Sequence, residues 1–223
     1  MGRVTILHET TTKPITLIGQ MAGVCWGADT TDAERNYKRG LDCIESNHGR
    51  TLEFPDVYME LDGYSARVIR EWYTHIGGMP TRLQESTRYI DYTYFEYVEP
   101  QSIKDNVNAH TVFNTAISDI TCALRELEKI GIPREDAAML LPLGMTTRIV
   151  CKHNLRNLID MSRQRMCQRA YWEYRELFGA IYGALSAYSS EWNELVGEVF
   201  YPKCEILHYC PEKHGCGRYP HDR

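Results

Sequence analysis

FNTAISDITCALREL, Phe113–Leu127, is the stretch on which the fold class turns. Phe113, Ile117, Ile120, Leu124 and Leu127 recur at alternating steps of four and three, which puts them on one side of an α-helix. Gly131 supplies a stop, and Pro133 suits the first turn of a short helix running to Leu141. Beyond it, Gly144–Lys152 reads as extended because of its Thr-Thr-Arg-Ile-Val centre. Upstream, Ser102-Ile103-Lys104-Asp105 has the form of a capping box. Three more strands are expected: Val4–His8, Val57–Leu61 closed by the Asp62-Gly63 turn signal, and the alternating aromatic run YIDYTYFEY at Tyr89–Tyr97. A helix begins at the capping-box spacing Thr31–Glu34 and ends at Gly40 or Ser46, and another spans Tyr64–His75. Asn154 to about Met166 is helical, and Tyr174, Leu177, Ile181, Leu185, Tyr188, Trp192 and Leu195 mark one long final helix. No linker, repeat or charge block divides the chain. The expectation is α+β: a single domain over residues 1–200, with a sheet packed by long helices and a short tail over 201–223.

The 223 residues are 43% hydrophobic, enough for a substantial core. A formal net charge of -5 argues against a general nucleic-acid binder, which carries a basic field over one face. It leaves room for a local basic pocket. No apolar run is long enough to cross a bilayer and MGRVTILHE lacks a secretory pattern, so a cytoplasmic location is expected. Of the 8 cysteines, Cys25, Cys43, Cys122, Cys151 and Cys167 are scattered singly, as packing thiols are in a reducing compartment.

Polar, anion-friendly groups are concentrated in THIGGMPTRLQESTRYIDY, Thr74–Tyr92. Within Ser86-Thr87-Arg88 a hydroxyl, backbone N–H groups and a guanidinium offer the several donors that phosphate oxygens need. A turn with a surface arginine is the plainer alternative. On the helix after Asn154, that residue and Arg165 fall nearly in line, while Arg156, Asp160 and Arg163 share another side. An Arg156–Asp160 ion pair on a solvated face is the competing account there. No Gly-rich dinucleotide fingerprint and no Walker-type lysine loop is present.

These segments, taken in order, resemble the flavin-dependent thymidylate synthases. The family's Arg-His-Arg triplet corresponds to Thr74-His75-Ile76, and its Ser-x-Arg-Tyr segment to Ser86-Thr87-Arg88-Tyr89. Arg50-Thr51-Leu52-Glu53-Phe54, Leu141-Pro142-Leu143, Asn154-Leu155-Arg156, Arg165 and Ala170-Tyr171-Trp172-Glu173 follow further blocks, so the likeness spans about residues 20–180. It implies a homotetramer with active sites built from several subunits. It also implies binding of FAD, deoxyuridine monophosphate (dUMP), the folate methylenetetrahydrofolate and NADPH, and methylation of uracil C5 without an attacking cysteine. Carried over residue by residue, Ser86 and Arg88 are phosphate ligands, with Thr87 between them and Gln84 and Glu85 beside them on the substrate side. Arg165 contacts the pyrimidine and stabilises developing enolate charge. His75, Asn154, Arg156 and Asp160 fall on the flavin side.

The departures are specific. Thr74 and Ile76 replace both arginines of the triplet, and the interval to Ser86 is two residues longer than in the family pattern. Gln84 stands where the family has glutamate, Phe54 where it has histidine, and Ala138 where it has a phosphate-binding arginine. Each lost charge-assisted bond is worth roughly 1.5–3 kcal/mol unless replaced. Arg82, arriving with Met79-Pro80-Thr81, is expected to replace one on the cofactor side. The altered triplet keeps two alternatives open: a flavin-dependent relative acting on another pyrimidine nucleotide, and a flavin or nucleotide binder without turnover. In the tail, Cys204, His208, Cys210, His214 and Cys216 are zinc-type donors without a Cys-x-x-Cys knuckle. The competing account there is a tail docked by Tyr209 and Tyr219.

Overall fold

The computed structural model describes residues 2–221. The strands are β1 (Arg3–Ile6), β2 (Asp56–Ser65), β3 (Thr81–Gln84) and β4 (Thr146–Asn154). The first helices are α1 (Pro14–Cys25), α2 (Ala33–Glu45), α3 (Ala66–Trp72), α4 (Gln101–Lys104) and α5 (Val107–Lys129). They are followed by α6 (Arg134–Ala137), α7 (Leu155–Arg165), α8 (Trp172–Tyr188), α9 (Ser190–Val199) and α10 (Lys203–Leu207). The fold is α+β, with one four-stranded sheet in the order β1-β2-β4-β3. β2 and β4 run antiparallel: the Ala66 N–H donates to Met145 O beyond one end of the pair, and the Leu155 N–H to Pro55 O beyond the other. The chain packs as two compact units. The first holds the residues through Arg3, Leu61–Tyr73 and Leu83–Ile149; the second holds Val4–Glu60, Thr74–Arg82 and the chain from Val150 onward.

In the first unit, α5 realises the stripe read from sequence. Ile117 and Leu124 are buried against Phe95 and Met145, with Phe113 and Ile120 packed at the margin. Asn106 caps the helix by accepting from the Ala109 N–H at 3.0 Å, and Gly131 follows its end at φ +80°. The box expected at Ser102 falls inside the single turn α4, Gln101–Lys104, whose N-cap position is Pro100. Tyr89–Tyr97 is not a strand. Asp91 accepts from the Thr93 N–H at 2.9 Å to form a turn, the Arg125 guanidinium lies 4.0 Å from the centre of the Tyr94 ring, and Tyr97 alone bridges to Met145. A side-chain-closed turn and a cation–π contact outweigh the aromatic alternation.

In the second unit, α1 and α2 meet at a glycine pair. A Cβ on Gly19 would lie 1.8 Å from Asn36 O, and one on Gly40 2.0 Å from Ile15 O, so only bare Cα atoms permit this approach. Gly40 is interior to α2, which ends at Glu45 with Ser46 as its C-cap, and its N-cap is Asp32 rather than Thr31. Helix α1 went unread in the sequence, although Pro14 at its first turn and the Ile15, Ile18, Ala22 spacing announce it. The final helix is broken. Ser189, at φ -158° and ψ 164°, accepts from the Trp192 N–H at 3.2 Å and opens α9 as a separate element. Tyr174, Leu177, Phe178, Ile181, Leu185 and Trp192 still form one fully buried core.

β2 does not stop at Asp62-Gly63. Gly63 takes φ +74° within the strand, which runs on to Ser65, the cap of α3. Among the described residues no helix is long and apolar enough to cross a membrane.

Candidate active site

The second unit gathers three distant segments around one imidazole. His75 follows α3, Arg82 lies in β3, and Arg165 is the last residue of α7. The Arg165 Nε donates to His75 Nε2 at 3.0 Å. An arginine has no lone pair to offer, so this nitrogen of His75 is the acceptor, and the imidazole is neutral with its proton on Nδ1. Burial, then the charges of Arg165 and Arg82, push the His75 pKa down to about 4. The Arg165 guanidinium carbon lies 4.4 Å from the centre of the Tyr174 ring, whose side chain is fully buried, and His75 meets the same ring edge-on at 6.1 Å. Tyr174 thus supports both groups from below. Arg82 Nη1 donates to His75 O at 3.4 Å.

Within electrostatic reach of this cluster is a second histidine that the sequence reading did not single out. His153 on β4 is fully buried, with Nδ1 2.6 Å from Asn157 Oδ1 on the first turn of α7. Burial pushes its pKa down to about 4. Its only sequence signal is a His four residues before an Asn across a strand-to-helix junction, which ordinary core histidines share. Both imidazoles take up protons less readily folded than unfolded. Their stabilising contribution is complete above pH 6.5, the ordinary histidine value, and is lost as pH falls from there through about 4. We expect the urea midpoint to fall between pH 7 and pH 5, and His153→Phe to flatten that fall. A midpoint unchanged over this range would contradict the assignment.

Asn154 is the cap of α7 rather than its first residue. Its Oδ1 accepts from the Asn157 N–H at 2.9 Å. Gly77 and Gly78 lie against this corner. Gly78 takes φ +69°, and a Cβ there would come within 2.2 Å of Asn154 Nδ2; a Cβ on Gly77 would lie 3.0 Å from Asn157 Nδ2. A cavity of about 250 Å³ opens here among Glu53, Gly78, Asn154, Arg156, Asn157 and Asp160. The expected Arg156–Asp160 pair does not form. Arg156 Nη1 is 2.6 Å from Glu53 Oε1, and Asp160 instead meets Arg163 at 3.3 Å.

In the first unit, Ser86, Thr87 and Arg88 make a tight turn. Ser86 Oγ accepts from the Arg88 N–H at 3.2 Å, and Ser86 O accepts from the N–H groups of Tyr89 and Ile90. Arg88 Nε is 2.8 Å from Glu135 Oε2. Glu85 accepts from the Arg148 N–H at 3.0 Å, and Gln84 Nε2 donates to Thr147 Oγ1 at 3.3 Å, both on β4. Thr87 borders a cavity of about 200 Å³ with Arg134 and Ala138.

All 8 cysteines are free; Cys43 and Cys151 are buried as packing groups, whereas Cys25 and Cys122 are exposed. In the tail, Tyr219 OH donates to Glu205 at 2.7 Å. Among the described residues no three His, Cys, Asp or Glu side chains are arranged to hold a metal ion.

Residues 6–188 match the family model described as thymidylate synthase complementing protein. A flavin-dependent thymidylate synthase of Nitratidesulfovibrio vulgaris is 30% identical over 190 residues, covering 79% of this chain and 74% of that protein. One from Pyrococcus abyssi is 28% identical, over 96% of this chain and 91% of that protein. A crystal structure of thymidylate synthase X from Helicobacter pylori with FAD and dUMP superposes with a TM-score of 0.66, at 18% identity over 87% of this chain and 98% of that one. The matched segment contains the His75–Arg165 cluster, the α7 corner and the Ser86–Arg88 turn alike, and the chain belongs to the flavin-dependent thymidylate synthase family.

Proposed function

We propose that this protein is a flavin-dependent thymidylate synthase that methylates uracil C5 of dUMP, taking its carbon from methylenetetrahydrofolate and its electrons from NADPH. The observation that carries this reading is the Arg165–His75–Tyr174 cluster, lying within the segment that matches the family. Bound flavin supplies the redox and one-carbon relay chemistry, which no amino-acid side chain provides. This chain's residues bind, orient and hold charge.

Arg165 is assigned to the pyrimidine. Enolate charge develops on a uracil oxygen as C5 becomes nucleophilic, and an always-protonated guanidinium stabilises it. The neutral His75 fixes that guanidinium through Nε without adding a second positive charge, and the Tyr174 face seats it. Ser86 and Arg88 are assigned to the nucleotide phosphate, with Thr87 adding a backbone donor and Gln84 and Glu85 buttressing the turn against β4. In this arrangement Arg88 exchanges Glu135 for phosphate when substrate binds. Arg82 stands for a guanidinium that the triplet lacks.

The corner at Gly78 and Asn154 fits part of FAD. Amide and guanidinium donors from Asn154, Asn157 and Arg156 suit a polyhydroxylated or phosphate-bearing chain, and the bare Cα of Gly78 lets it approach. At about 250 Å³ the cavity is smaller than the roughly 300–1,000 Å³ typical of sites for whole ligands. The rest of the cofactor is assigned to other copies of the chain in a homotetramer. The apolar exposure of Ile76 (72%), Met79 (88%) and Leu83 (74%) supports covering by another copy.

Purified protein is expected to carry an oxidised-flavin spectrum, and Arg88→Ala to weaken dUMP binding by about 10–100-fold, the worth of one charge-assisted bond at about 1.5–3 kcal/mol. Equal affinity in the variant would remove Arg88 from the phosphate site. The replaced triplet favours one competing reading, a relative acting on another pyrimidine nucleotide. Rescue of a thymidine-requiring cell separates the two, since only the synthase restores growth.

A further inference from the structure

The second unit has a larger cavity, of about 520 Å³, whose wall is built partly from the tail at Pro202–Tyr219, beyond residues 6–188 that the family model covers. Arg163, Arg165, Arg169, Lys203 and Arg218 line it against a single carboxylate, Glu212, in a chain of net charge -5. Within this wall Arg163 meets Asp160, and Arg218 meets Glu205. Arg169 donates to the uncharged carbonyl of His214, and that bond ties the tail to the turn after α7. Burial holds the Cys204 thiol above its usual range, so it brings no negative charge to the wall. Pro202, Pro211 and the Tyr219 ring supply an apolar side. A concentration of cations around a cavity of this size attracts a multiply charged anion, and arginine forks match phosphate oxygens in pairs.

We propose that the cavity beneath the C-terminal tail binds a phosphate-bearing ligand of at least two negative charges, held by Arg169 and Lys203 and reaching toward Arg165. The assignment rests on the tail and does not depend on the reaction proposed above. Its volume admits either a free inorganic anion or the phosphate-bearing part of a nucleotide, so the test carries both.

Cys167, half-buried, and Cys216, exposed, lie in the same wall, so occupancy is readable without turnover. Full-length protein, saturated with dUMP to fill the other proposed phosphate site, is titrated with inorganic pyrophosphate and separately with NADP⁺. Alkylation of Cys167 and Cys216 by iodoacetamide is followed by mass spectrometry, and binding by calorimetry. The expected result is slowed alkylation at both cysteines and an affinity that drops with salt. Lys203→Glu and Arg169→Gln should each weaken binding at least tenfold while dUMP affinity stays the same. Lys203 is exposed, so its variant reads charge without disturbing the core. Protection by NADP⁺ alone identifies a nucleotide ligand, protection by pyrophosphate alone a free anion, and either supports the site. The proposal is overturned if neither probe protects the two cysteines, or if Lys203→Glu binds them as the wild type does. Loss of dUMP binding in the wild type would count against the proposed function and not against this cavity.

Discussion

Arg165→Ala is expected to lower kcat for thymidylate formation by about 10²–10³-fold, the usual effect of removing a preorganised donor to developing negative charge. The loss should fall mainly on kcat, because the guanidinium meets that charge as the pyrimidine reacts rather than in the resting complex. Arg165→Lys keeps the charge but has no Nε to bond His75 Nε2 at 3.0 Å and no planar group to lie on Tyr174 at 4.4 Å. It should therefore recover only a small part of the rate. Flavin content should stay normal in both variants, since Arg165 is not assigned to the flavin. Steady-state kinetics with all three substrates checks this. Wild-type kcat in Arg165→Ala would remove the residue from the chemistry.

Gly78→Val should abolish flavin retention, with at least a tenfold fall in flavin per chain on purification. Two costs combine. A β-branched residue at φ +69° is strained by roughly 1–2 kcal/mol. The added Cβ would also lie 2.2 Å from Asn154 Nδ2, so the Asn154 side chain must move and cannot cap α7 as it does. Losing an asparagine cap costs about 1 kcal/mol more and loosens the turn that carries Arg156. Gly27→Val is the control. It has φ +61° with nothing within 4 Å of a Cβ, so it carries the strain without the collision and should keep its flavin. Equal flavin in the two variants would show that the Gly78–Asn154 corner is not part of the cofactor site.

Where local periodicity is long and caps are conventional, the sequence is read well: the stripe of α5, the strand β4 and the start of α7 all follow from it. It is read badly where a short-range hydrogen bond overrides a pattern. Ser189 cuts a hydrophobic stripe that runs unbroken from Tyr174 to Leu195, and the Asp91 turn dissolves an alternation that otherwise spells a strand. The α1–α2 crossing rests on the missing side chains of Gly19 and Gly40, which no hydropathy pattern records. The site divides in the same way. Ser86–Arg88 is adjacent in sequence and legible as a donor cluster, whereas His75, Arg82, Arg165 and Tyr174 come from four separate segments. Resemblance pointed to His75 and Arg165, and Arg82 entered only as a replacement suggested by the lengthened loop. Tyr174 shows only as one position of a core stripe, and His153 only as a His four residues before an Asn.

The most direct test of the account is a single anaerobic turnover. Protein reduced with NADPH is mixed with methylenetetrahydrofolate and dUMP, while flavin absorbance and nucleotide products are followed together. The account predicts that flavin returns to its oxidised spectrum and one dTMP appears per flavin, with neither event in the absence of dUMP. Flavin that stays reduced with dUMP recovered unchanged, in protein shown to bind both, would contradict it.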